Sequence, residues 1–133
     1  MSARVHHVAI RVHEMATARR FFEDVFGLGF GGEVEQDALG VRTVLSPEGV
    51  ELVAPLDSDS PLAGTLAKHG EGLNLLSFEV DDLDAVADRL ERRGGRFASR
   101  VTVPGGEVAF VSPRQAFGVL LQVYQRIDGP QPS

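Results

Sequence analysis

The 133-residue sequence contains no cysteine, and this absence excludes disulfide bonds, thiolate metal sites and a cysteine nucleophile. It also lacks tryptophan and has one tyrosine, which argues against an aromatic platform for stacking nucleic-acid bases. The apolar runs are far shorter than the roughly 20 residues of a membrane-spanning helix. No basic segment followed by a long apolar stretch opens the chain, so we predict a cytoplasmic protein without a membrane partner.

Positive charge is also scarce, because 13 Lys and Arg residues stand against 19 Asp and Glu residues, for a net charge of −6. The arginines are spread along the chain rather than gathered into one basic stripe. A nucleic-acid partner is therefore excluded, since such partners require a concentrated positive surface. A small molecule is the predicted partner.

The sequence repeats one pattern at a constant separation of 68 residues. Six apolar or glycine positions of the first copy match the second: Ile10 with Phe78, Val12 with Val80, Met15 with Leu83, Ala18 with Val86, Phe22 with Leu90, and Gly27 with Gly95. Any strand–helix unit resembles another in its periodicity. Six matches at one offset, each copy being followed by three strand-like segments, favour a duplication.

The repeat predicts an α+β fold of two tandem βαβββ modules. The first module spans 1–56 and the second 72–126, with a linker carrying a short helix at 57–71 and a tail at 127–133. A module of this size is too small to bury a core by itself. We therefore predict one compact domain in which the modules share a core.

The motifs of the chain resemble those of the vicinal oxygen chelate superfamily, which includes glyoxalase I, extradiol dioxygenases and bleomycin-resistance proteins. The resemblance begins with VHHVAIRV and FFEDVFGLGF in the first module. It is strongest to the methylmalonyl-CoA epimerases, and that part rests on three further segments: VELVAPLDSDSPLAGTLAKHGEGL (50–73), FEVDDLDAVADRL (78–90) and FVSPRQAFGVLLQV (110–123). The resemblance implies a curved mixed sheet around a cleft.

The family's four metal-ligand positions fall on His7, Glu51, Leu75 and Gln122. The resemblance thus implies a divalent ion of the Co, Mn, Ni, Zn or Mg class, held by His7, Glu51 and Gln122. Leu75 stands where relatives carry a histidine, and leucine cannot bind a cation. Two alternatives stay open, a weakened metal site and a protein without cofactor.

The same positions suggest proton-transfer chemistry, with Glu51 and His7 as the catalytic pair. Arg11 shares a strand face with His7 and matches an arginine that binds a substrate carboxylate in glyoxalase I; a structural ion pair with Glu51 or Glu79 is its alternative role. The remaining predicted substrate-binding residues are Gln122, Ser77 and Glu79. In the epimerases a glutamate base precedes the third strand, and here its aligned place is Ala38, near Asp37 and Glu35.

The predicted function is that of an epimerase-like isomerase or lyase, which removes a proton α to a carbonyl of a carboxylate-bearing acyl substrate. The alternative is a metal-free small-molecule binding or sequestering protein of the bleomycin-resistance type. Members of this family commonly pair, so a homodimer is also expected.

Overall fold

The computed structural model describes residues 2–127, which fall into two compact units. The first unit is His7–Asn74, and the second consists of the chain from Leu75 onward together with the residues before His7. Apart from Ile127, the predicted tail lies outside the described residues. The predicted module boundaries and the shared core stay predictions.

The first unit contains the elements of one βαβββ module and an additional helix. They are β1 (Ala3–Arg11, which starts among the residues of the second unit), α1 (Met15–Phe26), β2 (Val34–Gln36), β3 (Val41–Leu45), β4 (Val50–Pro55) and α2 (Pro61–His69). Strands β2, β3 and β4 are antiparallel neighbours, and β4 runs parallel to β1. The parallel register places Ala9 opposite Glu51.

Alternation along β1 decides which of its faces is buried under α1. Ile10 and Val12 point to the helix and join a core with Leu52, which is 0% exposed. The other buried members of this core are Met15, Phe30, Val44 and Ala54. Helix α1 ends at Gly27 in the left-handed conformation, with φ of 69°, as expected for a C-terminal glycine. His7, Ala9 and Arg11 therefore occupy the opposite face of β1.

The second unit repeats the order. It comprises β5 (Gly72–Val80), α3 (Leu83–Arg92), β6 (Ser99–Val103), β7 (Gly106–Val111) and β8 (Leu121–Arg126). Strand β5 is parallel to β8, with Ser77 opposite Gln122, and β6, β7 and β8 are antiparallel. The core under α3 consists of Val80, Leu83, Ala109, Val111, Ala116 and Val123. The predicted α+β class with two βαβββ modules is confirmed.

Helix α2 begins as the sequence suggests, with Pro61 in its first turn and Ser60 as N-cap. The Ser60 hydroxyl accepts a hydrogen bond from the Ala63 backbone N–H at 3.4 Å. No helix within residues 2–127 is long and apolar enough to cross a membrane.

Ser60→Ala should lower the free energy of unfolding by about 1 kcal/mol, because it removes the side-chain acceptor of the Ala63 N–H, which keeps only the Ser60 carbonyl. Urea unfolding followed by circular dichroism measures this change. Ser58→Ala, at an exposed position just before the helix, is the control and should change stability by less than about 0.5 kcal/mol. Equal effects of the two substitutions would contradict a capping role for Ser60.

Candidate active site

An imidazole and a carboxylate meet in the interior of the first unit. His7 on β1 is 5% exposed, and its Nε2 lies 3.5 Å from Oε1 of Glu51 on β4. The two strands are parallel neighbours with Ala9 opposite Glu51, so His7 and Glu51 project from the same face. A carboxylate and an imidazole at this distance are groups that can accept and donate protons.

Two further polar side chains share this face, and the sequence analysis missed them. Thr43 on β3 is 5% exposed and lies opposite Val53, two residues along β4 from Glu51. Its Oγ1 accepts a hydrogen bond of 3.4 Å from the Gln36 side-chain amide. The alternation of residues along β3 could have indicated Thr43, because it places this hydroxyl on the face of Val41 and away from the core under α1. A threonine hydroxyl can accept one hydrogen bond and donate another.

Arg11 is bound within the chain by backbone carbonyls. Its Nε donates to Gly70 O at 2.7 Å, and its Nη1 donates to Leu73 O at 2.5 Å. Both carbonyls belong to the segment that follows α2. Hydrogen bonds from a charged donor are stronger than those between neutral groups, so Arg11 stabilises the contact of this segment with the end of β1.

Arg11 also lines an open groove of about 360 Å³ beside α1. Phe21 and Phe22 supply aromatic surface to the groove, while Glu14 and Glu71 supply carboxylates. Glu71 is itself positioned, because its Oε2 accepts a hydrogen bond from the His13 backbone N–H at 2.9 Å. The groove therefore combines an apolar wall with charged groups at its margin.

In the second unit, Gln122 and Ser77 form a pair on adjacent strands. The Gln122 side-chain amide donates to Ser77 Oγ at 3.0 Å, and Ser77 is 0% exposed. Leu75 lies two residues before Ser77 on β5 and shares its face. This face therefore carries a neutral amide and an aliphatic side chain at two of the positions that the family resemblance assigns to metal ligands.

Glu79 continues the same face of β5 and is 8% exposed. Its carboxylate lies 2.9 Å from Arg4 Nη2, 3.9 Å from Arg126 Nη2 and 3.9 Å from His6 Nε2. The negative charge of Glu79 is thus compensated by cations of its own unit.

The donor set of the described residues differs from the one that the family resemblance implies for a divalent ion. Two ligands of a tetrahedral ion at about 2.1 Å stand about 3.4 Å apart, and the 3.5 Å between His7 and Glu51 matches that separation. However, the described part of the chain contains no group of three or more His, Asp or Glu side chains placed to hold a metal. Leu75 offers no donor atom, and Gln122 brings an amide without negative charge.

The structure brings four of the predicted site residues together in two pairs, His7 with Glu51 and Ser77 with Gln122. The other two predicted binding residues also have partners within the chain: Arg11 binds backbone carbonyls, and Glu79 pairs with Arg4. The catalytic, substrate-binding and metal-binding roles of all six stay predictions.

Comparison with known proteins agrees with this architecture. Residues 6–110 match the family model described as Glyoxalase/Bleomycin resistance protein/Dioxygenase superfamily. The chain is 33% identical over 129 residues to the mitochondrial methylmalonyl-CoA epimerase of Bos taurus, covering 92% of this chain and 74% of that protein. It is 30% identical over 133 residues to an ethylmalonyl-CoA/methylmalonyl-CoA epimerase of Cereibacter sphaeroides, covering 94% and 99%. The crystal structure of methylmalonyl-CoA epimerase from Mycobacterium tuberculosis superimposes with a TM-score of 0.83 at 30% identity, covering 92% of this chain and 87% of that one. The chain therefore belongs to the glyoxalase/bleomycin resistance protein/dioxygenase superfamily and is similar in sequence and fold to its methylmalonyl-CoA epimerases.

Proposed function

We propose that the protein is an isomerase that moves a proton at the carbon α to the carbonyl of a carboxylate-bearing acyl thioester. The observation that carries this proposal is the pair of buried His7 and Glu51, whose Nε2 and Oε1 atoms lie 3.5 Å apart and whose side chains are 6% and 13% exposed. Similarity to methylmalonyl-CoA epimerases across nearly the whole chain supports the substrate class.

In the proposed reaction, Glu51 accepts the α-proton as the carbon–hydrogen bond breaks. The electron pair of that bond moves into the carbonyl, and an enolate forms. A proton taken from solvent adds to the opposite face of the carbon and gives the epimer, while the proton on Glu51 is released to solvent, so atoms and charge do not change overall. His7 lies next to Glu51 and would exchange a proton with the carboxylate, so that the base can be reset during turnover.

In this proposal the enolate is stabilised electrostatically by groups of the chain rather than by a divalent ion. The hydroxyl of Thr43 is one such group, since it accepts from Gln36 and can donate its own hydrogen. A neutral donor placed in a buried site is effective because it needs little reorganisation as the charge develops. An enolate also permits β-elimination, so a lyase reaction remains within the proposal.

The central test is solvent-deuterium exchange. We expect the purified protein to incorporate deuterium from D₂O at the α-carbon of methylmalonyl-CoA, detected by mass spectrometry. Propionyl-CoA, which lacks the free carboxylate, is the matched substrate control and should exchange more slowly. Absence of exchange on a panel of carboxylate-bearing acyl thioesters would overturn the proposal.

Removal of metal gives a separate expected result. Dialysis against EDTA should leave the exchange rate within about twofold of its starting value, because the proposed reaction uses no metal. Loss of a group that only contacts a metal ligand already weakens metal affinity by about 10–100-fold, and Leu75 in place of a ligand should weaken it further. Inductively coupled plasma mass spectrometry of the same samples gives the metal content. A stoichiometric transition metal, together with loss of activity on chelation and recovery on adding it back, would show that a metal takes part.

A metal-free small-molecule binding protein is the second candidate, and the groove of about 360 Å³ beside α1 favours it. This volume lies at the lower end of the range of small-molecule sites. Its aromatic wall, Phe21 and Phe22, could hold an apolar ligand, and Arg11 and Glu71 could orient a polar group. Thermal stabilisation by library compounds, with no deuterium exchange on any acyl thioester, would favour this function over catalysis.

The homodimer and the cytoplasmic location predicted from the sequence stay predictions. Size-exclusion chromatography with light scattering tests the first, because a dimer has twice the 14.3 kDa mass of one chain.

A further inference from the structure

Two guanidinium groups and an imidazole of the second unit converge on one carboxylate. Arg4 and Arg126 approach the same oxygen, Oε2 of Glu79, at 2.9 Å and 3.9 Å. His6 approaches the other oxygen, Oε1, at 3.9 Å. The strand register explains why Arg126 lies near Glu79. Glu79 is opposite Tyr124 on β8, and Arg126 follows Tyr124 two residues later on the same face.

This cluster has more basic groups than carboxylates, whereas the cluster at Arg100 in the same unit has more carboxylates than basic groups. There, one guanidinium is held by two carboxylates, Glu107 at 2.7 Å and Asp84 at 2.8 Å. Hydrogen bonds to Glu107 and to Asp84 raise the pKa of Arg100 above its ordinary value. Around Glu79, by contrast, two guanidinium groups and an imidazole share one carboxylate. Within residues 2–127, no other carboxylate lies at ion-pair distance from Arg4 or Arg126.

The cluster leaves hydrogen-bond donors available to a ligand. A guanidinium carries five N–H groups, and the ion pair with Glu79 uses one Nη2 of each arginine. The side chains of Arg4 and Arg126 are 57% and 38% exposed, whereas that of Glu79 is 10% exposed. The nearly buried Glu79 thus pairs with two arginines whose side chains are still partly exposed to solvent.

The ring of Tyr124 lies beside the cluster and is held by contacts of its own. The ring of Tyr124 is 5.6 Å from the ring of His6, and its hydroxyl donates to Gly105 O at 3.3 Å. Gly106 lets this ring lie close to the backbone, since a Cβ there would come within 2.6 Å of Tyr124 Cε1. Donors that are held in place before binding lose less entropy when a ligand arrives.

We propose that Arg4, Arg126 and His6 form an oxyanion-binding site organised by Glu79, and that its ligand is a phosphate group. Two arginines can each bind phosphate in a bidentate manner, which makes a phosphate the best match to converging guanidinium groups. The proposal is independent of the proton-transfer reaction proposed for His7 and Glu51. The phosphate is either inorganic phosphate or the phosphate ester of a larger molecule.

The test is an NMR titration of the ¹⁵N-labelled protein at constant ionic strength. Sodium phosphate is one probe and coenzyme A is the other, with sodium chloride as the reference. We expect saturable shifts of the amide signals of Arg4, His6, Glu79 and Arg126. Comparable affinities for both probes identify a site for free phosphate, and tighter binding of coenzyme A identifies a site for a phosphate ester.

Matched arginine variants decide whether these side chains are responsible. The double variant Arg4→Gln/Arg126→Gln should bind either probe at least about tenfold more weakly, since each substitution removes charge-assisted hydrogen bonds. Arg100→Gln, which removes an arginine already bound by two carboxylates, should stay within about twofold. Circular dichroism of each variant confirms that it is folded. Shifts that equal those caused by chloride, or that persist unchanged in the double variant, would overturn the proposal.

Discussion

Glu51→Gln is expected to slow deuterium exchange at the substrate α-carbon by about 10²–10⁴-fold, the range attributed to a positioned general base. The substitution keeps the size of the side chain but replaces a carboxylate that accepts a proton with an amide that does not. Glu51 lies beside His7 and its side chain is 13% exposed, so the amide should remain in place. The rate is measured by mass spectrometry of methylmalonyl-CoA recovered from D₂O, alongside the free energy of unfolding.

Two carboxylates near the third strand provide the controls for this experiment. Glu35 and Asp37 are exposed, and they lie just before Ala38, the position to which the family resemblance assigns a base. Glu35→Gln and Asp37→Asn should each leave the exchange rate within about threefold of the original. If either of them, rather than Glu51→Gln, abolishes exchange, the base has been assigned to the wrong strand. Exchange that is unchanged in all three variants would remove these carboxylates from the mechanism.

The local pattern of the sequence was sufficient to predict the fold and the face of each strand. The alternation of Val8, Ile10 and Val12 placed His7 and Arg11 on the face opposite α1, and the core under α1 agrees. The 68-residue offset matched Leu83 with Met15, and Leu83, the first residue of α3, is 0% exposed. These features follow from strand and helix periods, which are properties of short segments.

The partners of the site residues could not be predicted in the same way, because they come from segments distant in sequence. Arg11 reaches carbonyls 59 and 62 residues away. Gln122 and Ser77 meet across 45 residues. Alternation shows which side of a strand a side chain occupies, but the register between strands decides what it touches. Thr43 was missed for this reason, since only the pairing of β3 with β4 places it opposite Val53, two residues along β4 from Glu51.

The two pairs differ in a way that bears on chemistry. In the first unit, the pair His7–Glu51 combines groups that change protonation during proton transfer. In the second unit, the pair Ser77–Gln122 contains two neutral groups that do not titrate under ordinary conditions. Proton movement is therefore expected to depend on the first unit.

Arg11→Ala is expected to lower the free energy of unfolding by about 2 kcal/mol, which is a large part of the stability of a small domain. The variant loses the hydrogen bonds from the guanidinium to Gly70 O and Leu73 O. The estimate is at the lower end for two charged hydrogen bonds because the Leu73 carbonyl is on an exposed residue. Urea unfolding measures the change, and Arg20→Ala, at an exposed position of α1, is the matched control with an expected change below about 0.5 kcal/mol.

Arg11→Lys separates this structural role from the binding of a substrate carboxylate. A lysine keeps the positive charge but has one ammonium group in place of a planar fork, so it cannot reproduce both carbonyl contacts. If Arg11 mainly fastens the segment after α2, Arg11→Lys should recover less than half of the stability lost in Arg11→Ala, and KM should change little in either variant. If Arg11 binds the substrate carboxylate, KM should rise at least about tenfold in Arg11→Ala and recover in Arg11→Lys, with stability nearly unchanged. The two hydrogen bonds to Gly70 and Leu73 favour the first result, because the guanidinium already uses two of its N–H groups inside the chain.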